Sequence, residues 1–173
     1  GAPAQEGLGL DNLTSMRKLI AAMNMTLDGF CDHTSMSADD EIHQHYDELL
    51  KSSGVALYGR KTYQLMEYWR SVVENPTGNK ATDDFAATMD NIPKIVFSRT
   101  LKDVDWKTAR LATKGLDEEV AELKQQPGRD ILVGSPSLIV ALTQLGMIDE
   151  YQLGLHPTVA GSGLPLFKNI ADR

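Results

Sequence analysis

Two short, unbroken apolar runs, Ile95-Val96-Phe97 and Ile131-Leu132-Val133, constrain this chain more than any other feature. A strand that is apolar at every position is covered on both faces, as an inner strand of a parallel sheet is when helices flank it. From residue 17 onward, strand-like and helix-like segments alternate around these runs. That order predicts an α/β fold with a parallel or mixed sheet.

Residues 18–25 read as the first strand, closed by the turn Leu27-Asp28-Gly29-Phe30. Ser37 is the expected N-cap of the next helix, with Asp40 as the acidic capping-box partner. Ile42, Tyr46, Leu49 and Leu50 supply its apolar stripe. Gly54 is expected to end that helix, and Val55 to Tyr58 form the second strand. Tyr63 and Met66, extended by Trp69, give the inner face of a following helix. A polar stretch, 74–82, then precedes a short helix from Asp83 to Met89. Leu116 to Gln126 is an amphipathic helix stopped by Pro127-Gly128. Ser135-Pro136 opens another, and Gly146 closes it. Tyr151, Leu153 and Leu155 alternate in a last strand, 150–156, and Pro157 puts it at an edge or a bend.

The length of 173 residues predicts one domain. A net charge of −7 is a poor match to nucleic acid or a membrane surface, although a local basic cluster can still take a small anion. No apolar run approaches the roughly eighteen residues of a membrane span. A single cysteine, Cys31, cannot form an internal disulfide, and no signal-like segment opens the chain; a cytoplasmic protein is expected. Residues 1–15 carry Gly, Pro and polar residues without a period and read as a leader or an appended remnant. Met16 is then the expected native start, with 16–173 as the folded domain.

Three strand-end junctions carry residues suited to phosphate. After strand 55–58 come Gly59, Arg60, Lys61 and Thr62, two cations and a hydroxyl; a solvated turn has the same composition. Ser98-Arg99 ends strand 94–97, and a guanidinium can bond two phosphate oxygens at once; a strand that merely ends in polar residues is the alternative. Gly134, Ser135, Pro136 and Ser137 follow strand 131–133, where glycine admits a ligand to the backbone and a helix N-terminus follows; a well-capped turn would look alike. Ligands of open α/β sheets bind beyond the carboxyl ends of the strands, and all three junctions lie there.

Other chemistries lack their motifs. There is no G-x-G-x-x-G, since Gly161-Ser162-Gly163 precedes Pro165 rather than a helix, and no Walker G-x-x-x-x-G-K. His33, His43, His45 and His156 do not form a metal set, because His43 and His45 point to different helix faces, and no metal is expected. Cys31 has no activating base nearby in sequence and reads as a packed or half-exposed thiol.

Several segments, in order, carry a resemblance: Leu19 to Met23 with the turn Met25-Thr26-Leu27-Asp28-Gly29-Phe30, Leu57-Tyr58-Gly59-Arg60-Lys61-Thr62-Tyr63, Lys94 to Arg99, Asp130 to Ser135, and Asp149-Glu150-Tyr151 through Pro165-Leu166-Phe167. Together they resemble the dihydrofolate-reductase-like superfamily, and within it the reductase domain of the bifunctional riboflavin-biosynthesis deaminase–reductase. Residues 17–167 are covered, and Gly-Arg-Lys-Thr-Tyr is the most specific piece.

The resemblance implies a three-layer αβα fold with a mixed, mainly parallel central sheet. It implies an NADPH-dependent reductase similar to 5-amino-6-(5-phosphoribosylamino)uracil reductase, acting on a small pteridine- or pyrimidine-like substrate. Arg60, Lys61 and Thr62, after Gly59, would hold phosphates, and Ser98 with Arg99 would meet the adenosine 2′-phosphate. Gly134, Ser135 and Ser137 would cradle the pyrophosphate, and the Ala22 backbone would position the carboxamide. The branch continues past Pro-Leu-Phe with two more strands that often help form a dimer. A homodimer is therefore expected, and the C-terminal strands count as missing from this chain.

The substrate side departs from dihydrofolate reductases, which carry a carboxylate on the helix after the first turn. That position falls near His43, with Asp39, Asp40, Glu41 and Asp47 close by. Asp40 or His43 could serve as the acid; a capping Asp and a surface His are the alternative. Gly154 stands where those enzymes have a threonine, which argues against folate reduction. Asp28 reads as a turn residue, with lining of the pocket as its other reading. Two rival functions stay open: a nucleotide-binding module without turnover, and a carrier of another anionic metabolite.

Overall fold

The computed structural model describes residues 16–32, 36–168 and 170. The expected leader, residues 1–15, lies outside the described residues, as do His33 and residues 171–173. The chain runs β1 (Leu19–Thr26), α1 (Asp40–Ser52), β2 (Ser53–Gly59), α2 (Arg60–Met66), α3 (Tyr68–Glu74), α4 (Lys80–Asn91), β3 (Lys94–Phe97), β4 (Ala109–Leu111), α5 (Leu116–Gln125), β5 (Asp130–Val133), α6 (Pro136–Gln144) and β6 (Glu150–His156).

Six strands form one sheet in the order β4-β3-β2-β5-β1-β6, and every neighbouring pair is parallel. The antiparallel component expected of a mixed sheet is, among the described residues, a single isolated bridge between Phe30 and Pro165. Each connection passes through a helix or a long loop, which carries the chain back to the end where the previous strand began. β6 is an edge strand, as Pro157 suggested.

The period-two alternation of the strands sorts the core into two layers. Leu19, Ala21, Val55, Leu57, Ile95, Ile131 and Val133 face α5 and α6, against Val120, Leu123, Leu138, Ile139 and Leu142. Ile20, Ala22, Ala56, Tyr58, Val96 and Leu132 face the other way, against Leu49 and Leu50 of α1 and Phe85 and Met89 of α4. These two helical layers around one sheet are the expected three-layer arrangement.

Local boundaries differ where a side chain satisfies a helix end. Asp39, not Ser37, caps α1: its Oδ1 accepts from Ile42 N at 3.0 Å. Asn79 caps α4 through Thr82 N, so that helix starts at Lys80 rather than at Asp83. Gly54 lies inside β2 instead of ending α1. A Cβ there would stand 2.8 Å from Arg17 Nη2, so close approach of the Arg17 side chain explains the glycine.

At the N-terminal end of β3, Lys94 is 1% exposed. Its ammonium donates to Ile92 O and Thr108 Oγ1, each at 2.9 Å, and lies 4.0 Å from the Trp106 ring centroid. Burial pushes its pKa down to about 8. Trp106 Nε1 in turn donates to Asp90 Oδ1 at 2.7 Å, joining β3, the end of α4 and the loop before β4.

Candidate active site

Because all strands are parallel, their carboxyl ends open on one side of the sheet, and a cleft of about 1370 Å³ spans them. Met23 and Asn24 of β1, Tyr58 and Gly59 of β2, Phe97 of β3, Gly134 after β5 and His156 of β6 all line it. Pockets for one small ligand run roughly 300–1,000 Å³, so the cleft has room for two.

One part is cationic. Arg60, Lys61 and Thr62 line the cleft directly after β2, and Arg60 Nη1 donates to Thr100 Oγ1 at 3.1 Å. That bond ties the first junction to the second, where Ser98 Oγ accepts from the backbone N–H of Thr100 and Leu101. Ser98 is thus used in its own turn, and Arg99 is exposed beside it; neither lines the cleft itself. Thr100 escaped the sequence reading, because a threonine after Ser-Arg carries no signal until the loop folds back on Arg60.

The third junction is built for a close approach. Gly134 and Ser137 line the cleft, and a Cβ on Gly134 would stand 3.3 Å from Tyr58 Cε1 and 4.0 Å from the Ala22 carbonyl oxygen. A Cβ on Gly59 would lie 3.4 Å from Ser137 Oγ. Both glycines therefore keep a cradle open that side chains would narrow. Ser135 is buried, and its hydroxyl accepts from Gly59 N at 2.8 Å instead of capping α6. No side chain caps the start of α6, which leaves the partial positive charge of its first turn available to an anion.

The wall opposite is aromatic. His43 lines the cleft from α1, its Nδ1 3.5 Å from Thr82 Oγ1. Its ring stacks on Phe85 at 5.6 Å and meets Trp69 edge-on at 5.5 Å. Asp40, the other candidate acid, is exposed at the first turn of α1, where its carboxylate accepts two hydrogen bonds from Asn79 Nδ2; it does not reach the cleft.

Asp28 is a turn anchor. Its carboxylate accepts from Thr26 Oγ1 at 2.7 Å and from Ala160 N and Gly161 N at 3.0 and 2.7 Å. The Thr26 hydroxyl and these backbone donors hold its pKa down at about 2. Cys31 is buried, its Sγ donating to Leu164 O at 3.3 Å, and burial pushes the thiol up to about 11. Among the described residues no group of three His, Cys, Asp or Glu could hold a metal ion, and no helix is long and apolar enough to cross a membrane.

Comparison with known proteins accords with this geometry. The RibD C-terminal domain family matches residues 17–173. The uncharacterized protein YyaP of Bacillus subtilis (strain 168) is 33% identical over 168 residues, covering 95% of this chain and 87% of that protein. A putative riboflavin biosynthesis protein from Shewanella sp. PV-4 superimposes with a TM-score of 0.64 at 18% identity, over 90% of this chain and 86% of that one. A pyrimidine reductase-like protein from Corynebacterium diphtheriae gives 0.57 at 13% identity, over 96% and 85%. Dihydrofolate reductase from Enterococcus faecalis, complexed with NADP(H) and RAB-propyl, gives 0.55 at 14% identity, over 89% and 79%. The fold is dihydrofolate-reductase-like.

Proposed function

Because the chain belongs to the RibD C-terminal domain family, we propose that it is an NADPH-dependent reductase of a small pteridine- or pyrimidine-like ring of riboflavin-pathway type. The convergence of the β2 and β5 strand-end junctions on one two-ligand cleft, with the Ser98-Arg99 turn tied to it through the Arg60–Thr100 hydrogen bond, carries this reading. NADPH, when bound, supplies the hydride.

The chain's own residues bind and orient. Arg60, Lys61 and Thr62 hold phosphate oxygens, and the cradle kept open by Gly59 and Gly134 takes the pyrophosphate beside Ser137 and the start of α6. The Ala22 carbonyl, 4.0 Å from the position a Gly134 Cβ would take, accepts from the carboxamide. Arg99, with Ser98 and the Arg60–Thr100 pair, meets the 2′-phosphate. His43 is the group within the aromatic wall that can pass a proton to the reduced ring. A homodimer belongs to the same reading. β6 pairs only with β1 among the described residues and exposes Tyr151 and Leu155, and sedimentation reports the mass.

Titration with NADPH and NADH, followed by nicotinamide fluorescence, tests the proposal. NADPH-selective binding is expected, and Arg99→Ala should weaken NADPH about tenfold or more while sparing NADH. Equal losses would remove the 2′-phosphate assignment, and no binding by folded protein would overturn the reductase reading. The exposed position of Asp40 leaves one rival, a nucleotide-binding module, which would bind NADPH and leave it unoxidised whichever ring substrate is offered.

A further inference from the structure

The cleft's aromatic wall has a chemistry that the cofactor residues do not explain. Trp69 of α3 and Phe85 of α4 meet edge to face with centroids 4.6 Å apart, and His43 of α1 closes the group against both. Phe85 is buried, whereas Trp69 and His43 are only half-buried, so these two rings keep surface open to the cleft. Met66, Leu50 and Met89 continue the wall with apolar side chains.

Charge is distributed unevenly around the cleft. The only lysine and arginine that α1 to α4 contribute to it are Arg60 and Lys61, directly after β2, and His43 is the only other basic group from those helices. Lys168 and His156 also line the cleft, as does Asp32, whose carboxylate accepts from Leu164 N. Among the described residues, the wall's own side chains Leu50, Met66, Trp69, Phe85 and Met89 carry no cation, so a phosphate set directly against them would lose hydration with no ion pair in exchange, a costly burial. A flat neutral ring loses little water there and gains stacking surface.

Resting on the reductase reading above, we propose that Trp69 is the stacking platform for the substrate ring and that the substrate is a flat, uncharged heterocycle without a phosphate. Trp69 is then a specificity-determining residue, while Arg60 and Lys61 are reserved for the cofactor.

The test uses protein saturated with NADP⁺ and two matched probes, 5-amino-6-ribosylaminouracil and its 5′-phosphate. The phosphate-free probe should bind at least about tenfold more tightly than the phosphorylated one. Trp69→Ala should weaken the phosphate-free probe by about ten- to hundredfold, the range of aromatic–base stacking, with NADP⁺ affinity unchanged; Trp69→Phe should recover most of the loss. Preference for the phosphorylated probe, no binding of the phosphate-free probe to loaded protein, or indifference to Trp69→Ala would each overturn the proposal while leaving the reductase reading standing. Failure of the folded protein to bind NADP⁺ or NADPH would overturn both.

Discussion

Gly59 N–H donates a 2.8 Å hydrogen bond to Ser135 Oγ, and this buried bond ties the end of β2 to the start of α6. Two junctions separated by 76 residues in sequence are thereby held at a fixed spacing. The bond also diverts the hydroxyl of Ser135 from α6, so the helix start stays open toward the cleft.

Ser135→Ala strands the buried Gly59 N–H, which costs about 1–3 kcal/mol. A fall in melting temperature of several degrees and a weaker NADPH complex are expected, measured by thermal unfolding and by titration. A variant unchanged in both would show that the bond does not hold the cradle.

His43 and Asp40 are one turn or less apart in α1, yet only His43 lines the cleft. His43→Ala should lower turnover on the order of a hundredfold with NADPH binding intact, the range of a positioned proton donor. Asp40→Asn should leave turnover unchanged. Steady-state kinetics on one ring substrate decides between them, and the reverse pattern would exchange their roles.

Lys94 makes stability depend on pH in the alkaline range. Its folded pKa, about 8, lies below the ordinary 10.5, so the unfolded chain holds the proton longer between those values. Its contribution therefore rises from about pH 8 to about 10.5, with a slope approaching about 1.4 kcal/mol per pH unit, and is flat on either side. Urea unfolding of the wild type and of Lys94→Met across this range should show the difference between them growing in favour of the wild type. A constant difference would refute the assignment.

Asp28 acts at the other end of the scale. Its folded pKa of about 2 lies below the ordinary 3.8, so its contribution is full above about pH 4 and is lost as pH falls through 2. Because the carboxylate holds Ala160 N and Gly161 N, Asp28→Asn should speed amide exchange across residues 158–163 at neutral pH. The wild type should approach the variant's rates relative to the rest of the chain near pH 2. Unaltered exchange in the variant would mean that the loop is held by other contacts.

Much of this protein was legible in the residues alone. Ile95-Val96-Phe97 and Ile131-Leu132-Val133 announced inner parallel strands, because only burial on both faces tolerates apolar side chains at every position. That Gly59, Arg60, Lys61, Thr62 and Gly134 would meet at one cleft was readable too, since parallel strands bring their carboxyl ends to one side whatever the details. Local hydrogen bonding was less legible. Asp39 took the cap expected of Ser37, because either side chain can cap and the choice depends on where α1 docks.

Contacts between distant segments were decided by tertiary structure. The Arg60–Thr100 bond, the Gly59–Ser135 bond and the meeting of His43, Trp69 and Phe85 each join segments with no periodic or spacing relation in the chain. Strand alternation determines which face a side chain takes. Only the packed order β4-β3-β2-β5-β1-β6 determines what it meets there, and that is why Trp69 faces a cleft while Trp106 lies buried beneath Lys94.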